Sequence, residues 1–226
     1  VFSGHYTYLL LNIFAISAPF LLSFDKKVAY YRNWGRLLAG ILFMWAVFIP
    51  WDEWFTQRGV WAFNADYLIG IYWGSLPVEE WMFFFAIPYA TIFIYACLKG
   101  WLPKWGRGWG KPFAWGVTVF SVGMALVFHD RLYTLITFTL LPVMIWLHVA
   151  RHGFVHLGRF ALMWLIHLIP FFTVNGVLTA WPVVSYNDAE NMGFRIGSVP
   201  FEDAFYSMLM LLMVLTVFER SAPKVN

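Results

Sequence analysis

Charged side chains are scarce in this chain: 12% of its 226 residues are Asp, Glu, Lys or Arg, where a soluble domain carries about 25%. Fifteen basic and twelve acidic residues are too few to cover a soluble domain of this size, and 61% of the chain is hydrophobic. Cysteine is nearly absent. Cys97 alone excludes an intramolecular disulfide framework and any Cys-rich zinc or iron–sulfur site, and within an apolar run it reads as a small buried hydrophobe. No G-x-G-x-x-G fingerprint follows a strand, and no Walker motif or G-x-S-x-G elbow occurs, which removes the common nucleotide-binding and serine-hydrolase readings.

What fills the chain is apolar runs. A helix needs about 20 such residues to cross a bilayer, and seven stretches approach that length: 6–24, 37–51, 77–98, 113–128, 132–149, 160–181 and 201–218. The first lacks a basic flank and a small-residue cleavage site, so it reads as a span rather than a signal peptide; the chain begins at Val1, which leaves its native start open. His129-Asp130-Arg131 separates the fourth and fifth runs and predicts a tight hairpin.

The loops orient the spans. Asp25, Lys26, Lys27, Arg32 and Arg36 follow the first, Lys99, Lys104, Arg107 and Lys111 the third, and Arg151 and Arg159 the fifth. The alternate loops are mainly acidic. Basic residues mark cytoplasmic loops, which predicts an N-terminus outside and a C-terminus on the cytoplasmic side. The net charge of +3 then reflects attraction to anionic lipid headgroups rather than nucleic-acid binding, and Trp101, Trp105, Trp109 and Trp115 fit interfacial anchoring.

A shift of 123 residues superimposes the chain on itself. It pairs Gly35-Arg36 with Gly158-Arg159, Asn64 with Asn187, Gly70 with Gly193, Gly74-Ser75 with Gly197-Ser198, Pro77 with Pro200, Glu79 with Glu202 and Glu80 with Asp203. The predicted fold is an all-α polytopic membrane protein with seven transmembrane helices, arranged as two parallel three-helix repeats joined by a connector helix. The repeats span 1–98 and 129–226, with the connector at 99–128. An odd number of crossings between the copies gives them one orientation, related by an axis along the membrane normal, as in some transporters. Both acid pairs then lie near the same, non-cytoplasmic, face.

Each acid pair follows a proline at the mouth of an apolar helix. Proline and acids are ordinary helix-start residues, which is the plain reading of the motif. Yet neighbours on a helix point about 100° apart, so one acid of each pair can face the bundle interior, where a carboxyl requires a partner, cavity or relay. Desolvation and a like-charged neighbour favour the protonated form, which supplies an acid able to give up a proton. The duplicated pairs can share one cavity and divide the roles of acid and base as a coupled network. Asn64 and Asn187 either orient these acids or cap outer turns. Arg195 either pairs with an acid or is a solvated loop charge. Asp52 and Glu53, which have no acidic mates in Val174-Asn175-Gly176, read first as a membrane boundary.

Other classes lack what they require. His148, His152 and His156 recur every four residues, but six histidines in all are too few for a di-iron oxygenase. The last run holds no lysine for a retinal Schiff base, Lys224 lying beyond it. A transporter remains the competitor, with Pro19, Pro88, Pro142 and Pro170 interrupting spans. Against a polar cargo stand Phe83, Phe84, Phe85, Tyr89, Phe93 and Tyr95 in the third run and Phe205, Tyr206, Met208, Met210 and Met213 in the seventh, a lining suited to a long apolar pocket.

Asn64-x-x-Tyr67-x-x-Gly70 with Leu76-Pro77-Val78-Glu79-Glu80, and Asn187 with Gly193-Phe194-Arg195-Ile196 and Val199-Pro200-Phe201-Glu202-Asp203, resemble the membrane-integral lycopene cyclase family. The resemblance covers nearly the whole chain and looks like a fused pair of small subunits. It implies redox-neutral, acid–base closure of β-ionone rings on lycopene, giving γ- and β-carotene, without the flavin of the soluble-type cyclases. Related cyclases acting on longer carotenoids or making ε rings share the motif. Glu79, Glu80, Glu202 and Asp203 match the acidic motif, with Asn64, Asn187 and Arg195 as supporting residues; the expectation is that Glu79 or Glu202 donates the proton and that Glu80 or Asp203 accepts one or tunes the donor. No metal or cofactor is implied. The implied partners are a carotenoid, membrane lipid and other carotenoid-pathway membrane enzymes, and the implied location is a bacterial or archaeal cytoplasmic membrane.

Overall fold

The computed structural model describes residues 4–106 and 108–219; Arg107 of the basic loop after the third run and Lys224 lie outside them. Among the described residues, seven helices are long and apolar enough to cross a membrane: α1 Thr7–Leu22, α2 Trp34–Arg58, α3 Val78–Trp101, α4 Gly110–Val127, α5 Leu132–His152, α6 Leu157–Ala180 and α7 Glu202–Phe218. The chain is an all-α polytopic membrane protein. Residues 128–131 form the expected tight connection between α4 and α5.

The helix α2 departs most from its predicted extent, continuing through Asp52 and Glu53 instead of ending at Trp51. An acid marks a boundary only when it faces lipid. Asp52 is 2% exposed and turned into the bundle, while Glu53 accepts the Ser75 backbone N–H at 2.9 and 3.0 Å. Hydropathy averaged over all sides of the helix hides this distinction.

The helices α3 and α7 form the centre. In their apolar windows 67% and 78% of residues are buried, against 11% for α1 and 17% for α4. The acid pairs begin these two central helices, which places them at one end of the bundle axis rather than on its rim.

Short strands close that end. Strands β2 (Tyr72–Trp73) and β3 (Leu76–Pro77) form one hairpin, and β5 (Arg195–Ile196) and β6 (Val199–Pro200) form its counterpart 123 residues later. Two-residue hairpin turns favour positive φ in their first residue, met by Gly74 at 70° and Gly197 at 64°. Strand β1 (Trp61–Phe63) pairs antiparallel with β4 (Val184–Tyr186), and in that ladder Ala62 faces Ser185, its own mate at the 123-residue shift. The flanking bonds are copies of each other: Asn64 N–H to Val183 O and Asn187 N–H to Val60 O, both 2.9 Å. A segment that pairs with its own copy in this way sits on an approximate two-fold axis, and that axis leads down to the acids.

Candidate active site

The two acids of each pair have different surroundings. Glu79 and Glu202, both fully buried, turn toward the loops before their helices: Glu79 Oε1 accepts the Ile69 N–H at 2.7 Å and Glu202 Oε1 the Met192 N–H at 2.7 Å. Thr134 Oγ1 adds a 2.5 Å bond to Glu202 Oε1. In both copies Oε2 is buried without a hydrogen-bond partner. A carboxylate accepting a loop amide at a helix N-terminus fixes that loop.

The second acids face inward. Glu80 and Asp203 line one cavity of about 50 Å³ together with Asp52, and the two clusters therefore meet in a single site. Tyr8 on α1 donates to Glu80 Oε2 at 2.5 Å; Tyr133 on α5 donates to Asp203 Oδ1 at 2.7 Å, and Tyr186 on β4 to Oδ2 at 2.8 Å. Burial, and next the Asp203 carboxyl beside it, push the Tyr186 phenol well above its ordinary pKa, so it remains a donor. Asn175, the mate of Asp52, lines the same cavity, as do Trp61, Phe83, Phe171 and Tyr206. Tyr206 packs edge-on against Phe48 and Trp51, with centroids 4.8 and 5.0 Å apart.

Among the described residues, no Lys, Arg or His lines this cavity. Its chemistry is carboxyls and phenols among aromatic faces, an arrangement that can pass protons and surround a transient cation. Tyr8, Tyr133 and Tyr186 escape the sequence reading because tyrosine is common here and each alone reads as core, whereas Tyr206 is among the residues expected to line a pocket. One signal was available: Tyr8 and Tyr133 are 125 residues apart, two away from the repeat shift, so a gapless comparison does not pair them.

The three residues expected to support the acids make no hydrogen bond to them. The Asn64 side chain accepts the Asp66 N–H and Asn187 the Ala189 N–H, both at 3.0 Å, so both cap turns and neither touches an acid. Arg195 pairs with Asp188, donates to Ser198 O at 2.8 Å and lies over the Tyr186 ring, 5.9 Å from its centroid. Its bond, followed by that of Asn191, holds the Asp188 carboxyl below its ordinary pKa. Arg195 makes no hydrogen bond to Asp203 and stands behind the Tyr186 ring, whose hydroxyl does.

At the opposite end of the bundle the histidines bind the last turn of α7. His148 Nδ1 and the Thr216 hydroxyl are 2.8 Å apart, and His152 Nε2 lies 2.8 Å from Thr216 O. Lys99 reaches Glu219 at 2.6 Å; burial alone would raise the Glu219 carboxyl, and the Lys99 bond overcomes it, leaving the pKa below the usual value.

The lycopene cyclase family profile matches residues 5–98 and 130–221, two segments that each contain one acid pair. The chain belongs to the lycopene cyclase family. It is also similar to the bifunctional lycopene cyclase/phytoene synthase of Arthroderma gypseum, 32% identical over 83 residues. That match spans 36% of this chain and 14% of the fungal protein. No solved structure matches significantly. The break between the two profile segments, residues 99–129, contains α4, which lies outside the matched cyclase regions.

Proposed function

We propose that the chain is a lycopene β-cyclase, closing β-ionone rings at the ends of linear lycopene to give γ- and then β-carotene. The observation that carries this reading is the single aromatic cavity to which both matched segments contribute a carboxyl, Glu80 from one and Asp203 from the other. Protonation at C2 of the terminal C1–C2 alkene leaves a tertiary cation at C1. The C5–C6 alkene attacks C1 through C6, moving the positive charge to C5, and loss of the C6 proton restores a C5–C6 double bond. One proton enters and one leaves, so the reaction is an isomerisation that consumes no oxidant or reductant.

Hydrogen bonding divides the roles. Asp203 accepts two phenol hydrogens and is suited to hold charge as the base; Glu80 accepts one and is suited to deliver the proton. Glu79 and Glu202 position the loops and helix starts that carry them. Trp61, Tyr206 and Phe83 shield the cation and present π faces to it. The two three-helix repeats, 1–98 and 129–226, supply one site together, so a two-ring product needs the substrate to turn or rebind. The basic loops support a membrane orientation with the acid end on the non-cytoplasmic face. The fungal relative's name joins two carotenoid activities, which supports association of this chain with other enzymes of that pathway.

Glu80→Gln and Asp203→Asn test the assignment in membranes supplied with lycopene, with products separated by chromatography. Removal of a general acid or base lowers turnover by about 100-fold or more. Glu79→Gln and Glu202→Gln retain more activity, since an amide oxygen still accepts the loop N–H. Near-normal ring formation in both Glu80→Gln and Asp203→Asn sinks the proposal.

A further inference from the structure

The 123-residue shift allows a helix contact to be compared with its own copy, and one such pair differs. Where α2 lies on α7, Gly40 leaves no space for a methyl group: a Cβ there would stand 2.7 Å from the Val214 carbonyl oxygen. Two turns and more along, Phe48 meets Tyr206 with centroids 4.8 Å apart. The corresponding residues between α6 and α3 are Met163 for Gly40, Thr91 for Val214, Phe171 for Phe48 and Phe83 for Tyr206. Methionine cannot take the close approach that glycine permits. Phe171 turns instead to His167 and Phe172, at 5.0 and 5.6 Å.

An apolar groove of about 430 Å³ opens there between α1, α3 and α6, bordered by Phe14, Ala18, Ala90, Thr91, His167 and Phe171. Phe14, 72% exposed, stands at its lipid-facing edge. Phe171 borders both this groove and the acid cavity, so the two spaces share one wall. His167, 3% exposed, pairs through Nδ1 with Thr91 Oγ1 at 2.9 Å, while its Nε2 is buried without a partner.

We propose that this groove binds the linear polyene chain of the substrate and admits it sideways from the lipid, with Phe171 standing at the entrance to the acid cavity. The inference rests on the cyclase reading above. A cavity of about 50 Å³ receives only an end of a long hydrocarbon, and the rest of the chain must leave the bundle along an apolar path continuous with that cavity. The groove meets that cavity at Phe171, and rotation of this ring would join the two into such a path, while the tight Gly40 contact closes the copy of the groove on the other side. With one doorway, each visit presents one end of the substrate to the acids.

The test uses the Glu80→Gln/Asp203→Asn double variant, purified from cells that make lycopene, with retained polyene measured by absorbance per protein. Ala90→Phe or Ala18→Trp places a ring in the groove and is expected to lower retention by at least about tenfold. Leu38→Trp, in a separate recess bounded by α1, α2 and α3, is the matched control and keeps its pigment. Ala18 lies at the exposed rim, so its variant reads the groove even where Ala90→Phe does not fold. Unchanged retention in folded Ala18→Trp overturns the inference. Ring formation by the otherwise native chain is measured in parallel. If Ala18→Trp leaves it unaffected, the groove proposal fails and the cyclase reading stands; if the native chain forms no ring while pigment retention depends on the groove, the reverse holds.

Discussion

Asp203 and Glu80 occupy matching positions, yet only Asp203 receives a second phenol. Tyr186 supplies it from β4, and the residue at the matching place in β1 is Phe63, which has no hydroxyl. This single oxygen separates the two acids chemically. Hydrogen bonds to a charged group contribute about 1.5–3 kcal/mol, and about 1.4 kcal/mol in a barrier is tenfold in rate. Tyr186→Phe is therefore expected to slow ring formation by about tenfold or more while leaving the amount of folded protein unchanged. An unchanged initial rate would remove Asp203 from the role of base. The pair Glu79 and Glu202 shows the other use of an acid at a helix start, since each holds a loop amide ten residues upstream.

Among the elements, α3 and α7 begin with the acid pairs and are the most central, and α4 carries the chain back across the bilayer between the matched segments. An even number of crossings there would point the two copies in opposite directions and separate their acids by the membrane thickness, about 30 Å. In a Cys97→Ala background, Lys104→Cys before α4 and His129→Cys after it are both exposed. An impermeant thiol reagent is expected to reach His129→Cys from the outer face and Lys104→Cys only after the membrane is opened. Labelling of both from one side would remove α4 as a crossing, and with it the shared orientation of the copies.

The whole molecule makes one site from two halves. The β1–β4 ladder joins them over the acids, with Asn64 and Asn187 each donating a backbone bond across it. Neither half holds both Glu80 and Asp203, so segments 1–128 and 129–226 expressed separately are expected to form no ring product. Expressed together they are expected to recover it, because apolar packing, strand pairing and polar contacts such as Lys99–Glu219 and Thr91–His167 hold the halves together without chain connectivity. Product from either segment alone would end the composite-site reading. The approximate symmetry is broken at two places: Tyr186 against Phe63 at the acids, and Met163 against Gly40 at the groove.

Seven crossings, the repeated acid pairs and the family resemblance were legible in the sequence, because hydropathy and a constant 123-residue shift are one-dimensional signals that survive without coordinates. The same signals misplaced Asp52, since average hydropathy does not know which side of α2 faces the bundle. They pointed to Glu79 or Glu202 as the donor rather than Glu80, because they do not carry the direction of each side chain, which depends on how its helix is turned by its neighbours. Only the tertiary structure brought Tyr8, Tyr133 and Tyr186 to the carboxyls from three separate elements and turned Glu79 and Glu202 away. Sequence alone determined that the chain crosses a membrane and carries its acids twice. Packing decided which two meet, because convergence in space is a property of helix orientation and close contact that no local pattern of residues records.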